Sequence, residues 1–353
     1  MNAPLPNGVT RFRRLFAIGM TVLVGGLGIF AFLSVRFRGS GSLVHVSYDA
    51  TRELFSDVGK KFTERTGVKV THLHAGSPTQ VRALIRGLKA DVVSLASASD
   101  IDSISNSGLS AKDWRDRFPN KGSPFVSTIT FLVRTGNPKA IRDWNDLARD
   151  DVSVVCPNPN ASGAGKYSYL AAWAYEFRKE AGSQANAERF MRKIYARSPL
   201  LDAGSRAALL EFASDAKGDV LLTWESEAWH AIQHYGSNQF EIAYPSASIL
   251  AEPSVTFLDG YVQERKSQAH ARQFLEFLFS DDGQELVARN YLRPRNPKVA
   301  EKYAARFPQI VLYSIADVFG SWEAAEKAHF QEGGTFYRIY RAERQIREGT
   351  DVP

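Results

Sequence analysis

Residues 157–170 read PNPNASGAGKYSYL, and Ser162-Gly163-Ala164-Gly165-Lys166 within them combine small residues, a hydroxyl and a cation just before a helical run. Small residues that feed a helix start leave backbone N–H groups free for a phosphate or another oxyanion. A nucleotide loop requires a hydroxyl after the lysine and an earlier glycine, but Tyr167 and Asn160 stand at those positions. Other groups with catalytic potential are poorly spaced. Ser214 and Lys217 lie three apart in SDAK, a spacing common on protein surfaces, and no G-x-S-x-G elbow is present. His230 and His234 fall on one helix face without the glutamate of a zincin, and His72 and His74 alternate along one strand. The residue set therefore predicts neither a catalytic centre nor a metal site. Cys156, the single cysteine, excludes an intrachain disulfide framework and reads as a buried, inert thiol.

Anion chemistry fits better because the same signal recurs. Asp49 in SYDATREL precedes a helix, as does Ser77 in HAGSPTQ with Pro78 suited to the first turn. Ser162, Gly163 and Ala164 open a third helix, and Gly204 and Ser205 in LDAGSRAALLEF open a fourth. Each start leaves donors at the positive end of a helix dipole. Trp224, in LLTWESEA, adds an indole N–H that can donate but not accept.

The elements that position these residues alternate. LVHVSY, VKVTHLHAG and ADVVSLAS read as strands, separated by helices in which Leu54, Phe55, Val58 and Phe62 recur at helical spacing until Gly67. This order predicts βαβ units and mainly parallel sheets, with ligands held at loops beyond the strand ends. Phe125–Arg134 reads as a long strand crossing to a second lobe, DVLLTWESEAWHAI as a strand and helix, and QFEIAYP as the return. AHARQFLEFLFSDDGQELVARN reads as two helices broken near 280–283. The chain of 353 residues suits two lobes.

The net charge of +6 is uneven: Arg11, Arg13, Arg14, Arg36 and Arg38 supply five of those charges, and the remainder is nearly neutral. No basic run with interleaved aromatics follows, which argues against a nucleic-acid partner. The arginines bracket an uncharged stretch, Leu15 to Val35, long enough for a bilayer core. With RFRR on the cytoplasmic side, an uncleaved transmembrane helix followed by the flexible linker RGSGS is expected, and the rest is exported.

Motifs in the same order along some 290 residues (VSYDATREL, ADVVSLA, STITFLVRTGNPK, DWNDL, PNPNASGAGKYSYLAAW, GDVLLTWESEA, EIAYPSASILAEPSV, YLRPR and GGTF) strongly resemble the periplasmic sulfate-binding proteins of bacterial sulfate/thiosulfate ABC importers. The resemblance implies a type II periplasmic-binding-protein fold, two α/β lobes joined by crossover strands and closing like a hinge. Residues 42–124 plus 245–353 would form lobe I and 125–244 lobe II, after a segment 1–41 of cytoplasmic basic residues, transmembrane anchor or signal sequence, and linker. It implies dehydrated sulfate held by uncharged donors only. These would be the N–H of Asp49, the hydroxyl of Ser77, Ser162 with the N–H groups of Gly163 and Ala164, the N–H of Ser205 and the indole of Trp224. It further implies sulfate or thiosulfate as ligand, no cofactor, a monomer in the periplasm, and membrane permease subunits with a cytoplasmic ATPase as partners; the apolar run 15–35, if uncleaved, would in addition tether it to the inner membrane. The same-fold alternatives are a receptor for molybdate or phosphate, or a membrane-anchored anion sensor or enzyme. Three departures from the family pattern bear on the site: Pro78, the run Ser205-Arg206-Ala207, and Ala164 with its extra methyl.

Overall fold

The computed structural model describes residues 41–179, 182–198, 201–202, 204–214 and 217–348. The apolar stretch 15–35 and its linker, expected as an anchor, lie outside the described residues. Among the described residues no helix is long and apolar enough to cross a membrane.

The chain begins with strand β1 (Ser42–Tyr48), helix α1 (Arg52–Thr66), β2 (Lys69–Ala75), α2 (Ser77–Ile85), β3 (Val92–Leu95) and α3 (Ala98–Asn106). β1 pairs in parallel with β2 and β3, as the alternating pattern predicted. α1 buries Leu54, Phe55, Val58 and Phe62, the four residues picked out by their spacing. Gly67 ends it at a φ of 74°, a left-handed conformation open to glycine without strain. Beneath α1, Gly59 makes room for His72: a β-carbon there would sit 2.4 Å from the imidazole Nε2. His72 and His74 do face the same way, stacked at 5.8 Å, but they bond to His45 and Ser47 rather than assembling a metal site. Burial pushes both imidazoles down to about 4.

The expected long strand at 125–134 is two. Strand β4 (Phe125–Val126) leaves the first lobe and β5 (Ile129–Arg134) enters the second. Ser127 and Thr128 turn the chain between them, with Ser127 pairing Ala251 and Thr128 Oγ1 donating to Ile249 O at 2.9 Å. β6 (Val154–Pro157), α4 (Gly163–Lys179), α5 (Gln184–Ala196), β7 (Leu201–Asp202), α6 (Ser205–Ala213), β8 (Val220–Trp224), α7 (Glu225–Tyr235) and β9 (Phe240–Ala243) follow. The second sheet has the order β7-β6-β8-β5-β9. The return passes through β10 (Ala247–Ile249) to β11 (Ser254–Phe257), which closes the first sheet antiparallel to β3. The two crossing segments are thus laced side by side, a natural hinge. After β11 the expected helix break is present, between Gln268–Phe277 and Asp281–Arg289, with Ser280 capping the second piece.

The C-terminal segment departs from the sequence-based boundaries. β12 (Arg293–Pro294) pairs with β4, but beyond β13 (Val311–Tyr313) the chain does not stay with lobe I. Ile315, Ala325, Phe330, Phe336 and Ile339 share one apolar core with Leu170, Trp173 and Met191 of α4 and α5. The last helix, α8 (Thr335–Glu348), packs on α5. Short amphipathic pieces bury wherever a complementary apolar face is offered, and lobe II offers it here.

Candidate anion-binding site

The four helix starts meet at one crevice between the two sheets. Gly163 stands at the first turn of α4, so close to lobe I that a β-carbon on it would lie 2.5 Å from Ala96 Cβ. The same point is 3.6 Å from Trp224 Cζ2 and 3.8 Å from Ser77 Cβ. A β-carbon on Gly204 would lie 3.2 Å from Asp49 Oδ2, which brings the starts of α1 and α6 together. Tyr48 joins the two groups, its ring centroid 6.0 Å from that of Trp224. Tyr167 also lies 5.1 Å from Trp224, so two phenol rings pack at a tilt against the indole. All seven sequence-predicted residues, Asp49, Ser77, Ser162, Gly163, Ala164, Ser205 and Trp224, therefore converge, and all are buried.

Donors there are in surplus. The first helical bond of α4 runs from Lys166 N–H to Ser162 O at 3.1 Å, so the N–H groups of Gly163 and Ala164 precede any intrahelical acceptor. In α6 the first bond is from Ala208 to Gly204, leaving Ser205 N–H in the same position. Among the described residues the buried hydroxyls of Ser162 and Ser205 find no hydrogen-bond partner. Buried polar groups in folded proteins are nearly always paired, and these hydroxyls and N–H groups together form a donor set to which the described residues offer no acceptor.

Ser77 behaves differently from expectation. Its Oγ donates to Asp100 Oδ2 at 2.8 Å and accepts from Ala96 N–H at 3.0 Å, so its proton is already engaged. Carboxylates are also nearer than a purely neutral donor set implies. The Asp49 carboxyl is raised by burial, although Arg206 and backbone N–H groups oppose the shift. Arg206, whose surroundings the sequence left open, lies in part across the crevice: its Nη2 is 2.7 Å from both Glu53 oxygens on α1. The same nitrogen is 3.0 Å from Glu227 Oε1 without hydrogen-bond geometry, and neither Glu227 oxygen has a hydrogen-bond partner. Asp100, Glu53 and Glu227 were missed by the sequence reading. The acidic start of α7 reads as ordinary helix-dipole complementation, and only tertiary contact reveals that Glu227 is fully buried.

Burial, with Asp49 and Glu53 nearby, outweighs Arg206 and pushes Glu227 up to about 8. Its ordinary value is 4.5, so between 4.5 and about 8 the folded protein holds a proton that the unfolded chain has released. The contribution to stability is therefore complete below 4.5 and is lost as pH rises through 8. In denaturant titrations from pH 6 to 9, Glu227→Gln should remove this loss, so that the variant gains on the native protein up to about pH 8 and holds its lead above it. A constant difference across that range would refute the assignment.

Among the described residues no group of three His, Cys, Asp or Glu side chains could hold a metal ion. Cys156 is buried, and burial pushes its thiol up to about 12.

Comparison with known proteins gives the same picture. The model of the family described as "Bacterial extracellular solute-binding protein" matches residues 43–293. The sulfate-binding protein of Escherichia coli is 42% identical over 330 residues, covering 92% of this chain and 98% of its own. The thiosulfate-binding protein of Pseudomonas aeruginosa is 41% identical over 335 residues, covering 93% and 99%. Among solved structures, the sulfate-binding protein SubI of Mycobacterium tuberculosis superposes with a TM-score of 0.75 at 29% identity, over 82% of this chain and 99% of its own. With two α/β lobes, a family model that covers most of the chain and relatives alike over nearly their whole length, this chain belongs to the bacterial extracellular solute-binding protein family.

Proposed function

We propose that the protein is an extracytoplasmic receptor that captures sulfate between its lobes and delivers it to the permease and ATPase of an ABC importer. The observation that carries this reading is the convergence of donors from lobe II, the hydroxyls of Ser162 and Ser205 and the N–H groups at the starts of α4 and α6, on a crevice whose other wall holds Asp49 and Ser77 of lobe I. A fully ionised tetrahedral dianion needs donors on every side and offers no proton in return. Helix starts supply them without a fixed cation, so the charge is spread over many peptide dipoles. The names of the relatives from Escherichia coli and Pseudomonas aeruginosa support sulfate and thiosulfate as cargo.

The receptor acts as a monomer in the periplasm, tethered through residues 15–35, and needs neither cofactor nor catalytic group. Its lobes, residues 42–124 with much of the later chain and 125–244, close around the anion. Titration calorimetry on the purified protein tests the reading: tight sulfate binding, competition by thiosulfate and weak phosphate binding are expected. No sulfate affinity near neutral pH would sink it. A mature N-terminus near residue 40, read by mass spectrometry, would overturn the tether alone.

A further inference from the structure

Ser77 is buried at the start of α2, and Asp100 is almost as buried in the first turn of α3. A serine hydroxyl has one proton and two lone pairs. Here Ala96 N–H occupies one lone pair at 3.0 Å, and the proton goes to Asp100 Oδ2 at 2.8 Å. What Ser77 keeps for the crevice is its second lone pair, which accepts and does not donate. Ser97 Oγ donates to the same Asp100 oxygen at 2.9 Å, so that oxygen is held by two hydroxyls. Across the crevice the partly buried Lys166 ammonium is bonded to Glu326 Oε1 at 2.5 Å and is attracted by the Asp100 charge. Asp100 therefore keeps compensation from Ser97 and Lys166 when Ser77 turns its proton elsewhere.

We propose that Asp100 is a specificity-determining positioning residue: by holding or releasing the Ser77 proton, it sets whether the site reads an oxyanion oxygen as an acceptor or as a hydroxyl. The proposal rests on the anion-receptor reading above and extends it to protonated ligands. Toward sulfate, Ser77 must rotate its O–H from Asp100 onto the anion, and the lost carboxylate bond offsets part of the new one. Toward a monohydrogen oxyanion, Ser77 stays bonded to Asp100 and accepts the ligand O–H. No proton changes owner in either case; only the direction of donation differs. The carboxylate thus weakens the protein's preference for fully ionised anions.

Asp100→Asn tests this. The amide can donate its N–H to Ser77 Oγ, which frees the serine proton for the anion and removes the route to the ligand hydroxyl. Affinities for sulfate and inorganic phosphate are measured at pH 8, where phosphate is mainly the monohydrogen dianion. Both probes then carry the same charge, so loss of the Asp100 charge by itself strengthens them together. One net hydrogen bond is worth about a factor of five to ten, so the sulfate-to-phosphate ratio should widen by roughly tenfold or more. In the Ser77→Ala background the same substitution should leave the ratio unchanged. A native protein that binds neither anion sinks the receptor reading itself. A native protein that binds sulfate, with a ratio Asp100→Asn does not move, sinks the relay alone. Should Asp100→Asn not fold, Ser97→Ala decides. Removing the competing hydroxyl tightens the hold of Asp100 on Ser77 and must lower the ratio, and an equal or higher ratio overturns the proposal.

Discussion

Trp224→Phe is expected to lose roughly ten- to a hundredfold in sulfate affinity, because one hydrogen bond to a charged group contributes about 1.5–3 kcal/mol. The indole N–H bonds to no described residue, although the side chain is buried. Its ring is held by Tyr48 and Tyr167 at 6.0 and 5.1 Å, contacts that phenylalanine largely retains. Packing and donation are therefore separable at this position. Calorimetry reads the affinity, and thermal melting of the ligand-free protein reads the packing. Unchanged affinity would mean that the indole does not face the anion and that the crevice is used differently.

Gly163→Ala should be costlier still, by a steric route. The new methyl would stand 2.5 Å from Ala96 Cβ, far inside the contact distance of two carbons, while Trp224 and Ser77 remain at ordinary range. Both partners sit on stiff elements, the first turn of α4 and the connection from β3 to α3. Relief then comes from parting the lobes by about 1 Å, and hydrogen bonds lengthened by that amount fall outside useful range. Several donors weaken together, so a loss of about a hundredfold or more is expected, mostly as faster release. The ligand-free melting temperature should barely move, because the crevice can stay open. Ala96→Gly placed in the same chain removes the opposing methyl and should restore most of the affinity. If it does not, the clash is not what limits closure.

Much of the framework was legible in the chain. Alternating strands and helices follow from apolar periodicity, and α1 buried the four residues its spacing named. The donors were legible as well, since a small or hydroxyl residue before a helical run implies free N–H groups wherever the helix goes. Less accessible were the division of β4 from β5 and the allegiance of the C-terminal segment. Thr128 is β-branched like its neighbours and one serine does not mark a break, so only pairing with Ala251 and Ile249 reveals the crossing. The apolar faces carrying Ile315, Phe330 and Phe336 would suit either lobe, and long-range contact with α4 and α5 decides.

The sequence by itself determined the α/β framework, the helix-start donors and the poverty of catalytic groups, because these depend on local periodicity and side-chain chemistry. Tertiary structure alone decided that Gly163 meets Ala96 across the crevice, that the Ser77 hydroxyl donates to Asp100, and that Glu227 is buried beside Arg206. Each of these joins residues distant in the chain, and the direction of a hydroxyl or the charge of a carboxyl depends on neighbours that only folding supplies.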